Sequence, residues 1–259
     1  MPRLSQLSRS VADRVVLITG AGSGMGRATA HLFADEAALV AVTDRDAPSA
    51  AATAAEIIAA GGTAHPWSLD VTVAGEPDRV VAEVIERFGR LDVLVNNAGV
   101  SLIAPIDGPD YEDAWAATLA VNLTGQERMV RAALPHLLDS DAGRVINVAS
   151  TKGLGATAFI SPYTTSKHGV IGLTRGLAVE LAARGITVNC VCPGPIHTAM
   201  TAPIDDEAKT RFARRRVPIR RYGEPEEVAH AILSLALPAS SYLVGAVVVV
   251  DGGLSIQNT

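Results

Sequence analysis

Two residues four positions apart, Tyr163 and Lys167, are a pair suited to acid–base chemistry. Positions i and i+4 of a helix lie on one face, so the phenol and the ammonium would be neighbours. A phenol titrates at about pH 10, and a nearby positive charge favours the phenolate and lowers this pKa toward the range of a general acid or base. The same spacing also occurs on exposed helix faces, so by itself it does not establish a site.

Three other segments follow runs of residues that are typical of buried strands. Ser150 ends one such run, Asn96-Asn97-Ala98-Gly99 ends another, and Pro193-Gly194 follows a third. In a doubly wound sheet, ligands bind at the carboxyl ends of the strands. We therefore expect these segments to share one crevice with the Tyr163–Lys167 pair, where the Ser150 hydroxyl could hydrogen-bond a substrate carbonyl.

A glycine-rich segment, Thr19-Gly20-Ala21-Gly22-Ser23-Gly24-Met25-Gly26, joins the first predicted strand to a helical pattern. Glycine at 20, 24 and 26 allows a tight turn, close approach of backbone N–H groups to phosphate, and close helix–strand packing. The start of the helix adds unpaired N–H groups and the positive end of its dipole. The segment predicts a pyrophosphate site, although its G-x-x-x-G-x-G spacing differs from the common G-x-G-x-x-G and a flexible turn is the alternative.

Asp44 follows the second predicted strand, 24 residues after Gly20. A carboxylate at this place accepts hydrogen bonds from the adenosine ribose and repels a 2′-phosphate. Asp44 therefore favours NAD over NADP as the cofactor. Arg45 comes next and would weaken this discrimination, and a solvated aspartate is the alternative interpretation.

The order of the predicted elements explains how these segments can meet. Near-continuous Val/Ile/Leu runs, typical of strands buried on both faces, alternate with Ala-rich amphipathic stretches. The predicted strands are Val15–Thr19, Leu39–Thr43, Thr63–Ser68, Leu91–Asn96, Arg144–Ala149, Thr187–Val191 and Val247–Val250, and helices are expected near 24–37, 47–60, 73–88, 111–137, 162–184 and 224–236. The pattern predicts a single-domain α/β protein, a doubly wound Rossmann fold with a seven-stranded parallel sheet.

Two regions fall outside this alternation. Residues 1–10 are expected to form a flexible tail ahead of one Rossmann-type domain over 11–259. Residues 195–222 interrupt the strand–helix order, and so long an excursion in a compact domain predicts a lid over the site. Substrate contacts are expected from residues 195–215 of this lid and from residues 101–103, 152–154 and 159.

Composition and charge exclude several classes of protein. With 27 acidic against 22 basic residues and 4% aromatic residues, the chain lacks the basic, base-stacking surface of a nucleic-acid binder. Its apolar runs are too short for a signal peptide or a membrane span, so we expect a cytoplasmic protein. The two cysteines, Cys190 and Cys192, and six scattered histidines predict neither a disulfide framework nor a metal site.

Several motifs together resemble the short-chain dehydrogenase/reductase family, in matching order over about residues 13–253: TGAGSGMG, Asp70-Val71, NNAG, Asn122, Ser150, Tyr163-x-x-x-Lys167 and PGPIHT. The resemblance implies that Tyr163 is the general acid/base and that Ser150 orients and polarises the substrate oxygen. It implies that Lys167 binds the nicotinamide ribose and lowers the Tyr163 pKa. Asn122 would hold a water that links Lys167 to solvent, although a core amide bonded to the backbone is the alternative.

The resemblance also implies a set of cofactor contacts. Asp70 and Val71 would contact adenine, Asn97 and Gly99 would line the ribose, and Ile196 and Thr198 would reach the carboxamide; a strand-end cap is the alternative for Asp70. The expected cofactor residues are completed by Gly20, Ser23, Gly24, Met25, Gly26, Asp44, Ala98, Tyr163, Lys167, Pro193 and Gly194. A homotetramer, built through the 111–137 and 162–184 helices and the C-terminal strand, is implied as well.

The leading functional interpretation is an NAD-dependent oxidoreductase that interconverts a secondary alcohol and a ketone by hydride transfer. A second is a 3-oxoacyl-thioester (acyl carrier protein) reductase using NADPH, which the C-terminal segments VPIRRYGEPEEVA and VVVVDGG resemble; Asp44 counts against NADPH. A third is a non-catalytic, dinucleotide-sensing regulator. Such relatives usually lose the catalytic tyrosine or lysine, and both are present here.

A cluster of positive charge lies within the predicted lid. Residues 209–221 (KTRFARRRVPIRR) hold seven basic side chains and no acidic one. Because arginine binds carboxylate, sulfonate or phosphate through paired N–H groups, one hypothesis is an anionic substrate, with Arg214 and Arg215 as the residues to test. A solvated helix face or a subunit contact is the alternative, and it is the more common role of such a cluster.

Overall fold

The computed structural model describes residues 4–257, and within them seven strands form one parallel sheet in the order β3-β2-β1-β4-β5-β6-β7. Their bounds are β1 Val15–Thr19, β2 Leu39–Asp44, β3 Thr63–Ser68, β4 Val93–Asn96, β5 Arg144–Val148, β6 Thr187–Pro193 and β7 Val247–Val250. The strand order reverses between β1 and β4, which opens a crevice at the carboxyl ends of these two strands. The predicted single-domain Rossmann fold is confirmed.

The helices cover both faces of the sheet. They are α1 Gly24–Asp35, α2 Ala47–Ala59, α3 Glu76–Phe88, α4 Tyr111–Leu119, α5 Gly125–Asp139, α6 Ser161–Leu181, α7 Asp206–Arg216 and α8 Pro225–Ala236. Two details differ from the sequence prediction. The single stretch expected over 111–137 is divided by a π-helical turn, Ala120–Thr124, and the predicted lid contains a regular helix, α7.

The burial of both sheet faces explains why the strands read as unbroken apolar runs. In β1, Val16 and Ile18 join the cluster under α1, α2 and α8, whereas Val15 and Leu17 join the cluster under α3, α5 and α6. Successive side chains of a strand point to opposite faces, so a strand covered on both sides needs an apolar residue at every position. This arrangement holds the strand ends, and the residues that follow them, in one rigid row.

A buried carboxylate, Asp92, ties the amino ends of β1 and β4 together. Asp92 is 0% exposed and accepts hydrogen bonds from Val15 N (2.9 Å), Ser140 Oγ (2.6 Å), Arg90 Nη2 (2.6 Å) and Arg14 Nη1 (3.1 Å). Burial alone would raise the pKa of Asp92, but these donors outweigh it and hold the pKa below its ordinary value. The ionised carboxylate is therefore part of the folded structure.

We predict that Asp92→Asn lowers the free energy of unfolding by about 3 kcal/mol at neutral pH, because two guanidinium groups lose their buried partner. The folded pKa lies below the unfolded value of about 4, so the stabilisation is complete above that value and is lost as the pH falls through the folded pKa. Urea unfolding from neutral to acidic pH measures both effects. Asp141→Asn is the control, because Asp141 is 72% exposed and should contribute less than about 1 kcal/mol.

The remaining expectations about the chain concern its ends and its cysteines. Residues 1–3 of the predicted tail lie outside the described residues, and residues 4–10 contain no helix or strand, although Ser8 O accepts a hydrogen bond from Ala239 N (2.8 Å). The flexibility of this tail stays a prediction. Cys190 and Cys192 are buried and unpaired on β6. Within residues 4–257, no helix is both long and apolar enough to cross a membrane.

Candidate active site

A cavity of about 820 Å³ lies at the carboxyl ends of the strands and extends from the glycine-rich loop to Tyr163. It brings together nearly all of the predicted catalytic and cofactor-binding residues, whereas of the predicted substrate contacts at 101–103, 152–154 and 159 only Ser101 and Leu102 line it. Those that line it are Gly20, Ser23, Gly24, Met25, Asp44, Asp70, Val71, Asn97, Ala98, Gly99, Ser150, Tyr163, Lys167, Pro193, Gly194, Ile196 and Thr198. Gly26 and Asn122 do not line the cavity and act on it through their neighbours.

Gly26 allows helix α1 to pack directly against the loop that precedes it. A Cβ atom at this position would lie 2.1 Å from Gly20 O and 2.5 Å from Asn97 Nδ2. Gly20 and Gly24 adopt positive φ angles of 64° and 52°, a region that favours glycine. The loop and the first turn of α1 therefore form a cradle of backbone atoms that no side chain fills.

Asn97 holds this loop from the neighbouring strand. Its Nδ2 donates to Thr19 O (2.9 Å) and Gly20 O (3.0 Å), while Thr19 Oγ1 accepts from the backbone N–H groups of Asn97 and Ala98 (both 3.0 Å). Asn97 Oδ1 is buried and has no hydrogen-bond partner among the described residues. The contribution of Thr19 was not anticipated, because a threonine at a strand end gives no signal of a contact 78 residues away.

Asp44 is fixed in place at the adenosine end of the expected cofactor site. Its Oδ2 accepts from Gly22 N and its Oδ1 from Asp46 N, both at 3.0 Å. Arg45 lines the same cavity. The cavity therefore contains both a carboxylate that should repel a 2′-phosphate, that of Asp44, and a guanidinium that should bind one, that of Arg45.

Asp70 caps a turn and also lines the cavity, and its contact with adenine stays a prediction. Its Oδ1 accepts from Thr72 N (2.8 Å) and Thr72 Oγ1 (2.7 Å), which caps the turn after β3, and hydrogen bonding from Thr72 lowers the pKa of Asp70. Both Asp70 and Val71 still line the cavity beside the loop. The glycine cradle, the unpartnered Asn97 Oδ1 and the fixed Asp44 carboxylate fit a nicotinamide dinucleotide.

The Tyr163–Lys167 pair lies at the other end of the cavity. Lys167 Nζ lies 5.6 Å from the centre of the Tyr163 ring and donates to Val148 O (2.8 Å). The lysine is 3% exposed, and burial lowers its pKa to about 8. Burial also raises the pKa of Tyr163, more than the hydrogen bond with Ser150 lowers it.

Burial therefore sets the direction of the Tyr163 pKa, and a lowering of this pKa by Lys167 stays a prediction. The physical reason is that the pocket removes water from both groups, and this desolvation favours the neutral phenol and the neutral amine alike. Tyr163 is protonated at neutral pH in this environment, which suits it to donate a proton to a carbonyl oxygen.

Asn122 belongs to the π-helical turn between α4 and α5 and connects three parts of the site. Its Oδ1 accepts from Val100 N (2.8 Å), and its Nδ2 donates to Val100 O (2.9 Å) and Ser166 Oγ (3.0 Å). Ser166 Oγ in turn donates to Tyr163 O (2.7 Å). Because both amide hydrogens are used, the side chain positions the Tyr163 helix, and a relay water at Asn122 would donate a hydrogen bond to Oδ1 or to the backbone carbonyl.

The predicted lid starts and ends beside the cavity. His197 N donates to Gly223 O and Gly223 N to Pro195 O (both 2.9 Å), which closes the base of the excursion. Residues 198–201 line the cavity, and a Cβ atom on Gly24 would lie 3.3 Å from Thr198 Cγ2. Among residues 4–257, no group of three or more His, Cys, Asp or Glu side chains could hold a metal ion.

The chain is similar to known proteins over almost its whole length. A family model described as enoyl-(acyl carrier protein) reductase matches residues 20–255. The chain is 41% identical over 243 residues to the 3-oxoacyl-[acyl-carrier-protein] reductase FabG of Thermotoga maritima, covering 94% of this chain and 98% of that protein. It is 41% identical over 252 residues to a cis-4-hydroxycyclohexanecarboxylate dehydrogenase of Sinomonas cyclohexanicum, covering 95% and 98%.

A solved structure has the same architecture. It is provisionally described as an NAD(P)-dependent gluconate 5-dehydrogenase of Beutenbergia cavernae with NADP bound at low occupancy. It superposes with a TM-score of 0.90 and 36% sequence identity, covering 96% of this chain and 99% of that one.

Proposed function

Because the chain belongs to the short-chain dehydrogenase/reductase family, whose members are NAD(P)-dependent enzymes acting on alcohol and ketone groups, we propose that it interconverts a secondary alcohol and a ketone with NAD. One observation carries this proposal: Ser150, Tyr163 and Lys167 meet in the cavity that also contains the glycine cradle and Asp44. The same cavity thus offers places for a cofactor and for a substrate oxygen.

The roles of the side chains follow from their contacts. Ser150 and Tyr163 line the same end of the cavity, so a substrate oxygen between them would receive two hydroxyl contacts that orient and polarise it. In ketone reduction Tyr163 donates its phenolic proton to that oxygen, and in alcohol oxidation the phenolate removes the proton. Lys167, when protonated, stabilises the phenolate. When bound, the nicotinamide cofactor would supply the hydride carrier and, in its oxidised form, a positive charge in the site.

The preference for NAD is supported by Asp44, whose carboxylate is held by Gly22 N and Asp46 N and cannot easily move away from a 2′-phosphate. We predict that Asp44→Asn reduces the ratio of kcat/KM with NAD to that with NADP by at least about tenfold, equivalent to 1.4 kcal/mol. Steady-state kinetics with both cofactors measures the ratio. Asp35→Asn, at the exposed end of α1 and outside the cavity, is the control and should leave it unchanged. A wild-type enzyme that prefers NADP would refute the cofactor assignment.

A second candidate activity is the reduction of a 3-oxoacyl thioester with NADPH. The 41% identity to the Thermotoga FabG supports it, and Arg45 in the cavity fits a 2′-phosphate. Initial rates with acetoacetyl-CoA and NADPH, compared with a panel of secondary alcohols and NAD, separate the two activities. Binding of NAD with no turnover of any alcohol, ketone or thioester would instead favour a dinucleotide-sensing regulator, against which the assembled Ser150, Tyr163 and Lys167 argue.

We further propose a cytoplasmic homotetramer acting on a small molecule, with no part in binding nucleic acid or membranes. Apolar side chains are exposed along the C-terminal segment, with Tyr242 fully exposed and Leu243, Val244 and Val249 partly so. Such a patch supports burial against another subunit. The two buried free thiols suit a reducing compartment. Multi-angle light scattering tests the tetramer.

A further inference from the structure

The charged side chains of the active-site cavity are concentrated at its cofactor end. Five of the described residues that line it are charged, and four of these lie at or just after the ends of β2 and β3: Asp44, Arg45, Asp46 and Asp70. Ser150 follows β5, and because β1 and β4 lie between β2 and β5, the two ends are roughly 14 Å apart at the usual spacing of strands. Among the described lining residues, Lys167 is the one charged group at the end that holds Ser150 and Tyr163.

The polar groups at this end of the cavity are poorly suited to bind a charged substrate. Lys167 is 3% exposed, and its Nζ already donates to Val148 O (2.8 Å). On the lid, Thr201 Oγ1 donates to Ile196 O (2.8 Å) and accepts from the backbone N–H of Thr198 (3.1 Å). A carboxylate buried here would lose its water and find no charged partner of its own, which is unfavourable.

The basic cluster at 209–221 does not change this balance. None of its seven basic side chains lines the cavity, and every one except Lys209 is exposed. Lys209 pairs with Asp206 (3.2 Å), Arg211 with Glu207 (3.0 Å) and Arg221 with Glu227 (2.7 Å). The positive charge of the lid is therefore directed to solvent and to acidic side chains near it.

Two apolar side chains line the cavity and yet remain accessible to water. Leu102, in the loop after β4, is 39% exposed, and Met200, on the lid, is 47% exposed. They come from two separate segments that border the same cavity. An apolar group bound between them would remove this surface from water, which favours binding. A thioether side chain such as Met200 also adapts readily to the shape of an apolar ligand.

The loop that carries Leu102 is held in place on both sides. Val100 N donates to Asn122 Oδ1 (2.8 Å) and Val100 O accepts from Asn122 Nδ2 (2.9 Å), while Ala104 N donates to Phe159 O (2.7 Å). Phe159 has a φ angle of 65°, a conformation that is strained for a residue other than glycine and is typically found at functional sites. Leu102 therefore enters the cavity from a loop that is ordered before a ligand binds.

We propose, building on the oxidoreductase function above, that the substrate is an uncharged secondary alcohol or ketone with an apolar chain or ring, and that Leu102 and Met200 bind this apolar part. Ser150 and Tyr163 hold the reacting oxygen, and the apolar part extends from it between the loop after β4 and the lid. Selectivity then comes from the burial of apolar surface and from the absence of a partner for a substrate anion at this end among the described lining residues.

The test measures binding without turnover, because NAD and a ketone are both oxidised and cannot react with each other. Isothermal titration of the NAD-loaded enzyme with 2-butanone, 2-hexanone and 2-octanone should show affinity rising about twofold to fourfold for each added methylene. Titration with 4-oxopentanoate and its methyl ester tests the effect of charge. The ester should bind about tenfold or more tightly than the acid, since only the acid has to bury a carboxylate.

Three substitutions assign this selectivity to the cavity wall. Leu102→Ser and Met200→Ser should each weaken the binding of 2-octanone by about fivefold or more and leave that of 2-butanone nearly unchanged, whereas Leu102→Met should retain the wild-type pattern. Ile106→Ser is the matched control, because Ile106 is 75% exposed, follows the same loop and does not line the cavity. It should behave as wild type. Thermal unfolding checks that each variant is folded.

Equal affinity for the three ketones, an acid that binds as tightly as its ester, or no binding of any ketone would overturn the apolar substrate site. An Ile106→Ser variant that loses as much affinity as Leu102→Ser would overturn it as well. The failure of the oxidoreductase function has a different signature: ketones bind with the expected dependence on length, but none is reduced with NADH or NADPH. Reduction of ketones without any dependence on length refutes the apolar site and leaves the enzyme function intact.

Discussion

Tyr163→Phe is expected to lower kcat/KM by about 10²–10⁴-fold in both directions of the reaction, because it removes the group that gives or takes the substrate proton. The substitution deletes one oxygen and keeps the ring beside Lys167, so NAD affinity and folding should be retained. Steady-state kinetics measures the loss, and titration with NAD confirms that the cofactor site is intact.

The pH dependence of the wild-type enzyme sharpens this prediction. Burial raises the pKa of Tyr163, so the phenolate needed for alcohol oxidation becomes more abundant as the pH rises, whereas the phenol needed for ketone reduction is already present at neutral pH. Oxidation should therefore accelerate with pH, and the residual activity of Tyr163→Phe should not. Tyr111→Phe, which removes a hydroxyl bonded to Ser161 Oγ (3.0 Å), is the control and should keep its activity. Full activity of Tyr163→Phe would eliminate the mechanism.

Lys167→Met has the second largest expected effect, and it changes activity and stability in opposite directions. Activity should fall by about 10²-fold or more, because the cation that stabilises the Tyr163 phenolate is lost. Stability should rise by about 2 kcal/mol at pH 7. The displacement of the Lys167 pKa from 10.5 to about 8 corresponds to roughly 3 kcal/mol, and loss of the hydrogen bond to Val148 O offsets about 1 kcal/mol.

The stability gain of Lys167→Met over the wild type should depend on pH. Below pH 8 both the folded and the unfolded chain carry the Lys167 proton, and the folded wild type bears the full cost of burying it. Between about 8 and 10.5 the folded chain has lost the proton and the unfolded chain still binds it, so wild-type stability rises and the advantage of the variant declines. Urea unfolding at pH 7, 9 and about 10.5 tests this trend. Arg215→Met, at an exposed position of α7, is the control and should change stability by less than about 0.5 kcal/mol. A Lys167→Met variant less stable than wild type would contradict the expected gain.

Much of the fold was determined by local sequence pattern. All seven strands were anticipated within a few residues. For the strands inside the sheet this is because a strand covered on both faces must be apolar at successive positions, which the sequence shows directly. Strands that alternate with helices can be arranged in only a few topologies. In a parallel sheet of this kind, Ser150, Asn97 and Pro193 lie together at the carboxyl ends of the strands. The division of the 111–137 helix was not anticipated, because a one-residue π-bulge hardly changes the apolar periodicity on either side of it.

The catalytic pair and the cofactor loop were likewise evident in the sequence, since their residues are neighbours along the chain. Tyr163 and Lys167 are joined by one helix turn, and Gly20 to Gly26 by one loop, so spacing alone fixes their relative positions. What the sequence left open was the environment of these groups. The direction of the Tyr163 pKa depends on how much water the surrounding elements exclude, which no motif records.

The contacts between distant segments were decided only by the tertiary structure. Thr19 meets Asn97, and Asn122 meets Val100 and Ser166, across separations of 22 to 78 residues. The sequence predicted a basic lid, whereas only the structure shows that part of it forms α7, on which Ala213 is buried and Arg214 and Arg215 are exposed. Local periodicity follows from the geometry of one helix or strand; which side chains meet between elements depends on how those elements pack, and packing is a property of the whole folded chain.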